Sequence, residues 1–99
     1  MTIDKKLENN TLTLTLEGRL DTATSPRLQD VLPSAFDEAK EIILDFTGIA
    51  YVSSAGLRVL LIGQKAAQAK EASMKIRGVS EEVMEVFEMT GFSNILTFA

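Results

Sequence analysis

The sequence contains no cysteine and no histidine, and it has only two prolines and one tyrosine. Without cysteine the chain can form no disulfide and no thiolate nucleophile, and without histidine it lacks the commonest metal ligand and general base. No apolar run approaches the roughly 18 residues that a membrane-spanning helix needs, and the N-terminus has no basic-then-apolar signal layout. These absences argue against redox chemistry, disulfide scaffolds and membrane-embedded proteins, and we expect a cytoplasmic protein.

The length and charge of the chain narrow the class further. Ninety-nine residues without a linker, an internal repeat or a low-complexity stretch predict a single domain over residues 1–99. The formal net charge is −4, which disfavours binding to a phosphodiester backbone, so nucleic acid is not an expected partner. A basic patch on another protein would suit this surface better. We expect a monomer or a weak dimer.

The first part of the chain has the pattern of a β-hairpin. Residues 3–7 predict a strand, and the following turn contains Asn9 and Asn10, which tolerate the left-handed backbone of tight hairpins. Residues 11–17 alternate threonine with leucine, which predicts a second strand with one buried face. Gly18 is expected to end that strand.

Helix and strand patterns alternate in the rest of the chain. Ser25 as N-cap and Pro26 at the first helical position predict the start of a helix, which Pro33 should kink or break. The next elements are strand 42–46, which has the unbroken apolar run of a strand covered on both faces, helix 54–70, strand 74–79, a helix capped by Ser80 and stopped at Gly91, and strand 95–98. This order predicts an α/β fold with a mixed sheet, parallel neighbours and helices packed against it.

Two adjacent hydroxyls, on Ser53 and Ser54, stand between a buried strand and the helix that follows it. The start of a helix has unpaired N–H groups and the positive end of the helix dipole, so one serine is expected to cap the helix. The same position would also hold a phosphate added to a serine, which indicates regulation. Both interpretations stay open on these residues alone.

The serine pair lacks the neighbours that nucleophilic catalysis requires. No Ser-x-x-Lys, no Gly-x-Ser-x-Gly elbow and no glycine-rich phosphate loop accompanies it, and the aspartates are scattered without metal-loop spacing. The pattern favours a regulated binding module over an enzyme, with no cofactor and no metal.

Four further positions have a predicted place in the fold. Asp45, inside an apolar strand, needs a hydrogen-bond donor and is expected at the exit of that strand, near the serine pair. Asp21 and Thr22 suit a turn at the end of the second strand. Leu57 begins the apolar stripe of the next helix, and we expect it in the core.

Four segments together resemble the STAS domain family, and in particular the bacterial anti-sigma factor antagonists. They are Gly18-Arg19-Leu20-Asp21, Ile42-Ile43-Leu44-Asp45-Phe46, Ser53-Ser54-Ala55-Gly56-Leu57 and Val86-Phe87-Glu88-Met89-Thr90-Gly91-Phe92. The resemblance covers essentially the whole chain and keeps the order of the elements. It implies a mixed sheet with its helices on one side.

The resemblance also implies a function and a phosphorylation site. In these antagonists the anti-sigma factor is a kinase that phosphorylates a serine at the start of the helix after the central strand, and a phosphatase resets the protein. The unphosphorylated antagonist binds the kinase and frees the sigma factor for transcription. Aligned on Gly56-Leu57, the family motif Asp-Ser-Ser/Thr-Gly-Leu-Gly places the phosphorylated serine at Ser54.

This sequence departs from that motif at three positions. Ser53 replaces the aspartate, Ala55 replaces the second hydroxyl and Arg58 replaces the last glycine. A negative charge beside the acceptor is therefore missing, and Arg58 adds a positive charge that could pair with a phosphate or with a carboxylate of a partner. A shift of register by one residue would make Ser53 the acceptor, and the departures leave open which kinase recognises the domain.

We expect the partner-binding surface at the loops that follow strands two and three. Its predicted residues are Asp21, Thr22, Thr24, Asp45, Thr47, Ser53, Ala55, Gly56, Leu57 and Arg58. The partners implied by the resemblance are an anti-sigma factor serine kinase and a serine phosphatase, with neither nucleic acid nor membrane. The alternative is a STAS domain that is not phosphorylated and serves as an adaptor subunit of a transporter or another larger assembly.

Overall fold

The computed structural model describes all 99 residues as a five-stranded sheet with three α-helices and a short 3₁₀ helix. In chain order the elements are β1 (Thr2–Glu8), β2 (Thr11–Leu20), α1 (Ser25–Glu38), β3 (Glu41–Val52), α2 (Ser54–Ala69), β4 (Ser73–Arg77), α3 (Glu81–Thr90), the 3₁₀ helix (Phe92–Asn94) and β5 (Thr97–Phe98). The strand order is β1-β2-β3-β4-β5, with β1 antiparallel to β2 and the other pairs parallel. This confirms the predicted mixed α/β fold. None of the helices is long and apolar enough to span a membrane.

The β1–β2 hairpin turns where the two asparagines predict it. Asn9 and Asn10 have φ angles of 52° and 65°, the left-handed conformation that a two-residue hairpin loop requires. Leu12, Leu14 and Leu16 project from β2 to one face of the sheet and are fully buried. The alternating pattern of residues 11–17 is therefore confirmed.

One face of the sheet carries all three helices. Alternate residues of β2, β3 and β4 share this face and pack with apolar side chains of α1, α2 and α3 in a single core. Phe87 of α3 contacts Phe46 of β3 and Phe98 of β5, with ring centroids 6.4 and 5.9 Å apart. Since Phe46 lies on the same face as the buried leucines of β2, the helices lie on one side, as the resemblance implies.

The opposite face of the sheet has no helix, so the prediction that strand 42–46 is covered on both faces is wrong. Ile43 lies on this open face and is still buried. Its cross-strand neighbours are Thr13 in β2 and Lys75 in β4, and side chains at such positions lie only about 5 Å apart. Shielding by these neighbours explains why Ile43 is apolar and buried although no helix covers this face of the sheet.

Strands β2 and β3 are longer than predicted. Gly18 does not end β2, because its φ of +114° accommodates an irregularity in the pairing with β3 and the strand continues to Leu20. The extra residues of β2, from Gly18 to Leu20, pair with residues between Ile49 and Val52, so β3 continues to Val52 instead of ending at Phe46. In contrast, β4 and β5 are shorter than predicted, since Gly78 turns the chain and a 3₁₀ helix precedes β5.

Helix α1 begins and continues differently from the prediction. Its N-cap is Thr24, and Ser25 is the first helical residue, buried, with its hydroxyl donating to the carbonyl of Asp21. The predicted break at Pro33 does not occur. The missing N–H of Pro33 leaves the carbonyl of Gln29 without a helical donor, and both residues lie on the exposed side of α1, where water can take the place of that donor. The caps of α3 are as predicted, with Ser80 accepting from the N–H of Val83 and Gly91 left-handed at the C-terminus.

Candidate partner-binding site

The two serines at the start of α2 differ in position and in role. Ser53 is the N-cap, and its side-chain oxygen accepts a hydrogen bond from the N–H of Gly56 at 3.4 Å. Ser54 is the first residue of α2, and its side chain is exposed. Ser53 is therefore the serine that caps α2, and Ser54 is the one whose hydroxyl is exposed.

Ser54 lies in an open groove between the start of α2 and the start of α1. The groove has a volume of about 560 Å³ and is lined by Thr22, Ser25, Pro26, Gln29, Ser54, Ala55, Arg58 and Val59. It forms because β2 and β3 are parallel neighbours, so the loops that follow them leave the same edge of the sheet. Three residues predicted for partner binding, Thr22, Ala55 and Arg58, share this groove with the predicted phosphorylation site Ser54.

Gly56 and Leu57 support the groove from below. A Cβ atom at position 56 would lie 2.8 Å from the carbonyl oxygen of Leu20 and 2.9 Å from its Cγ, so only glycine allows α2 to start this close to β2. Leu57 is 7% exposed and belongs to the core, as its place in the apolar stripe predicts. Neither residue presents a side chain to the groove, so each positions Ser54 through the backbone.

The loop of Asp21 forms the other wall of the groove. One carboxylate oxygen of Asp21 accepts hydrogen bonds from the N–H groups of Ala23 and Thr24, each at 3.0 Å. The Thr24 hydroxyl donates to the carbonyl of Arg19 at 2.6 Å. The N–H of Thr24 lowers the pKa of Asp21 most, and the Thr24 hydroxyl, the Ala23 N–H and the charge of Arg19 lower it further. Asp21 and Thr24 thus hold the loop, and Thr22 is presented to the groove.

Asp45 and Thr47 lie apart from the serine pair, contrary to the predicted position of Asp45. Because β3 continues to Val52, seven further residues of strand separate Asp45 from its end, roughly 20 Å at an extended rise. The partners of Asp45 are instead the Thr47 hydroxyl at 2.6 Å and the Arg77 guanidinium at 3.3 Å. The Thr47 hydroxyl is the largest cause of a lowered pKa for Asp45, followed by the Thr47 N–H and Arg77.

Several residues at the site carry no signal in the sequence. Pro26 and Gln29 line the groove from α1, which requires knowing how α1 packs beside α2. Tyr51 pairs across strands with Arg19, whose guanidinium lies 4.2 Å from the centre of the tyrosine ring. Tyr51 is exposed and lies two residues before Ser53, and only the structure shows that exposure.

The charges around Ser54 favour an anion. No acidic residue occupies the first turn of α2, and the groove lining contains no carboxylate. The N–H groups of Ser54 and Ala55 have no acceptor inside the helix, because they belong to its first turn. No group of three or more potential metal-ligating side chains occurs in the chain. The arrangement can hold a covalently attached phosphate or a carboxylate of a partner, and it contains no catalytic base.

Comparison with known proteins gives the family. A family model described as "Mlab, STAS domain" matches residues 3–97. The anti-sigma-B factor antagonist of Staphylococcus aureus is 31% identical over 80 residues, which cover 80% of this chain and 74% of that protein. The protein BtrV of Bordetella bronchiseptica is 32% identical over 85 residues, which cover 85% of this chain and 73% of BtrV.

Solved structures share the fold at lower identity. The unphosphorylated anti-sigma factor antagonist SpoIIAA aligns with a TM-score of 0.82 at 20% identity, over 99% of this chain and 88% of its own. The phosphorylated form of Bacillus SpoIIAA aligns with a TM-score of 0.76 at 18% identity, and the alignment covers 99% of this chain and 91% of SpoIIAA. A sulfate transporter family protein from Wolinella succinogenes aligns with a TM-score of 0.82 at 19% identity, and the alignment covers 95% of this chain and 80% of that protein. With a family model that spans nearly all of its residues, the chain belongs to the STAS domain family.

Proposed function

We propose that this chain is an anti-sigma factor antagonist, a protein-binding module that acts on sigma-factor-dependent transcription by binding an anti-sigma factor. The Staphylococcus aureus relative, which bears that function in its name, supports the proposal because it is 31% identical over 80% of this chain. The absence of a base near either serine agrees with binding in place of catalysis.

The interaction is switched by phosphorylation of Ser54. The observation that carries this step is that only one of the two serine hydroxyls is used to cap the helix. Ser53 is engaged in capping α2, whereas Ser54 is exposed in the groove. The partner is a serine kinase that supplies ATP. The Ser54 oxygen attacks the γ-phosphorus, the bond from that phosphorus to the bridging oxygen of ADP breaks, ADP leaves, and the hydroxyl proton passes to a base of the kinase.

The phosphate changes the surface more than the fold. A phosphoserine adds about −1.5 to −2 charge and three acceptor oxygens. At the first turn of α2 these oxygens meet unpaired N–H groups and the positive end of the helix dipole, so the folded state accepts them without strain. Structures of SpoIIAA in both forms align with this chain, which supports a fold that persists through the modification.

Incubation with the cognate anti-sigma factor kinase and ATP tests the proposal. We expect one phosphate per chain, located at Ser54 by mass spectrometry, and none in Ser54→Ala. Ser53→Ala is the matched control, because it removes the adjacent hydroxyl and should still be phosphorylated. Failure to modify the wild-type chain, with a kinase that modifies another antagonist in the same assay, would contradict phosphorylation. Phosphate on Ser53 would move the acceptor by one residue.

A second candidate is an adaptor that is not phosphorylated, within a transporter or another larger assembly. The observation behind it is the structural likeness to a sulfate transporter family protein, which aligns over 95% of this chain. A pull-down from native lysate distinguishes the two, since recovery of a kinase and a phosphatase supports the switch and recovery of transporter subunits supports the adaptor.

A further inference from the structure

One arginine in the groove beside Ser54 has no partner. Arg58 follows Ser54 by four residues in α2, so the two side chains lie on the same face of the helix, and both line the groove. The Arg58 side chain is exposed, and none of the ion pairs of the chain includes it. Its guanidinium is therefore free to bind an anion at Ser54.

The other arginines are already engaged. Arg19 pairs with the Asp21 carboxylate at 3.6 Å and stacks on Tyr51, Arg27 donates to the carbonyl of Met1, and Arg77 pairs with Asp45 at 3.3 Å. No carboxylate lines the groove to compete for Arg58. Asp21, in the loop that carries Thr22, is already engaged by N–H groups of its own loop and by Arg19. Arg58 is the arginine that a phosphate on Ser54 would meet.

We propose that Arg58 binds the phosphate of phosphorylated Ser54 within the same chain. This inference rests on the proposed phosphorylation of Ser54. The guanidinium offers several N–H donors in a planar fork that matches two phosphate oxygens, and a separation of four helical residues brings the groups within reach. The N–H groups at the first turn of α2 remain available to the other oxygens.

The consequence is a phosphate that is fixed in place and partly neutralised. Arg58 acts as a positioning residue, holding the phosphate along α2 instead of leaving it free in water. A partner would then meet a phosphate–guanidinium pair in a defined orientation. The glycine that occupies this place in the family motif offers no such group.

Phosphoserine installed at position 54 during translation allows a direct test without any kinase. We would follow its ³¹P chemical shift against pH in the whole chain, in wild type, Arg58→Gln, Arg58→Lys and Lys65→Gln. The control Lys65→Gln removes one positive charge from an exposed position of the same helix outside the groove. We expect the second pKa of the wild-type phosphate to lie below the usual value of about 6. Arg58→Gln should raise it by at least about 0.5, a threefold change in proton affinity.

Arg58→Lys should give an intermediate pKa, because lysine keeps the charge and loses the fork. Equal values in wild type and Arg58→Gln would overturn the inference, and so would an equal shift in Arg58→Gln and Lys65→Gln, which would indicate only a change in net charge. Circular dichroism checks that each variant folds. Because the phosphate is installed without a kinase, a failed kinase assay would contradict the proposed function and leave this result unaffected.

Discussion

The N–H of Ser53 donates a hydrogen bond to the carbonyl of Leu20 at 2.9 Å, which joins the end of β2 to the residue that caps α2. This bond continues the pairing of Leu20 with Val52 by one residue beyond β3. The start of α2 is thereby held against the loop that forms the opposite wall of the groove. The position of Ser54 depends on this junction. Three predictions test the start of α2, and a fourth concerns Asp45, which lies elsewhere on the sheet.

The two serines should differ in their effect on stability. Ser53→Ala removes the cap of α2 and should lower the free energy of unfolding by about 0.5–1 kcal/mol, the lower part of the range for caps because the bond to Gly56 is long at 3.4 Å. Ser54→Ala removes an exposed hydroxyl and should change the free energy of unfolding by less than about 0.5 kcal/mol. Urea unfolding of both variants measures the difference. Equal losses would show that both hydroxyls are structural.

Ser54→Asp should separate binding from stability. A carboxylate at the first helical position interacts favourably with the helix dipole, so the free energy of unfolding should stay the same or rise by up to about 1 kcal/mol. Binding to the proposed partner, an anti-sigma factor kinase, should weaken about tenfold or more, equivalent to about 1.4 kcal/mol. Calorimetric titration and thermal unfolding test the two parts. Ser34→Asp, an exposed change outside the groove, is the control and should bind normally.

Gly56→Ala should lower both stability and phosphorylation. The added methyl would lie 2.8 Å from the Leu20 carbonyl oxygen and 3.0 Å from Cγ1 of Val52, and relieving such contacts costs about 1–3 kcal/mol. The first turn of α2 must move, and Ser54 moves with it. Gly91→Ala makes a useful comparison, because its added methyl meets nothing within 4 Å and its cost comes from the left-handed backbone alone. A Gly91→Ala chain should be phosphorylated at the wild-type rate, and Gly56→Ala should not.

The pairing of Asp45 should make part of the stability depend on pH. Hydrogen bonds from Thr47 and the charge of Arg77 lower the pKa of Asp45 below its ordinary value of 3.8, so the folded state favours the carboxylate. This contribution is fully present above pH 3.8 and is lost as the pH falls through the lowered pKa of the folded state.

Asp45→Asn should therefore destabilise the chain at neutral pH, and the difference from wild type should shrink in acid. Urea midpoints at about pH 7 and about pH 2.5 measure the change. Asp4→Asn is the control, since Asp4 is exposed and takes part in no ion pair. A difference that persists unchanged in acid would mean that the amide's shape, and not the lost charge, is responsible.

The local patterns of the sequence predict most of the fold and part of the site. The turn at Asn9 and Asn10, the caps at Ser80 and Gly91 and the burial of Leu57 depend on neighbouring residues, and all are as predicted. Helix α1 begins one residue earlier than predicted. Its start depends on the hydrogen bonds of the Asp21 loop, and the identity of no single residue indicates those bonds.

What the sequence could not predict depends on pairing between distant segments. The length of β3 follows from its contact with the end of β2, so the position of Asp45 relative to Ser54 was misjudged. The same holds for Pro26 and Gln29, which reach the groove only because α1 packs beside α2. The serine pair itself was visible, since a strand followed by hydroxyls and a helical stripe is a local signal.

The tight approach of Gly56 to Leu20 separates the position of the Ser54 hydroxyl from the chemistry of the surface around it. The location of the Ser54 hydroxyl is set by main-chain atoms, whereas the side chains of Thr22, Gln29 and Arg58 form the surface around it. Under the proposed phosphorylation of Ser54, substitutions at those three positions would alter which enzyme recognises the proposed acceptor without displacing it. A cell with several copies of this domain could keep their pathways insulated from one another by changing the rim of the groove alone.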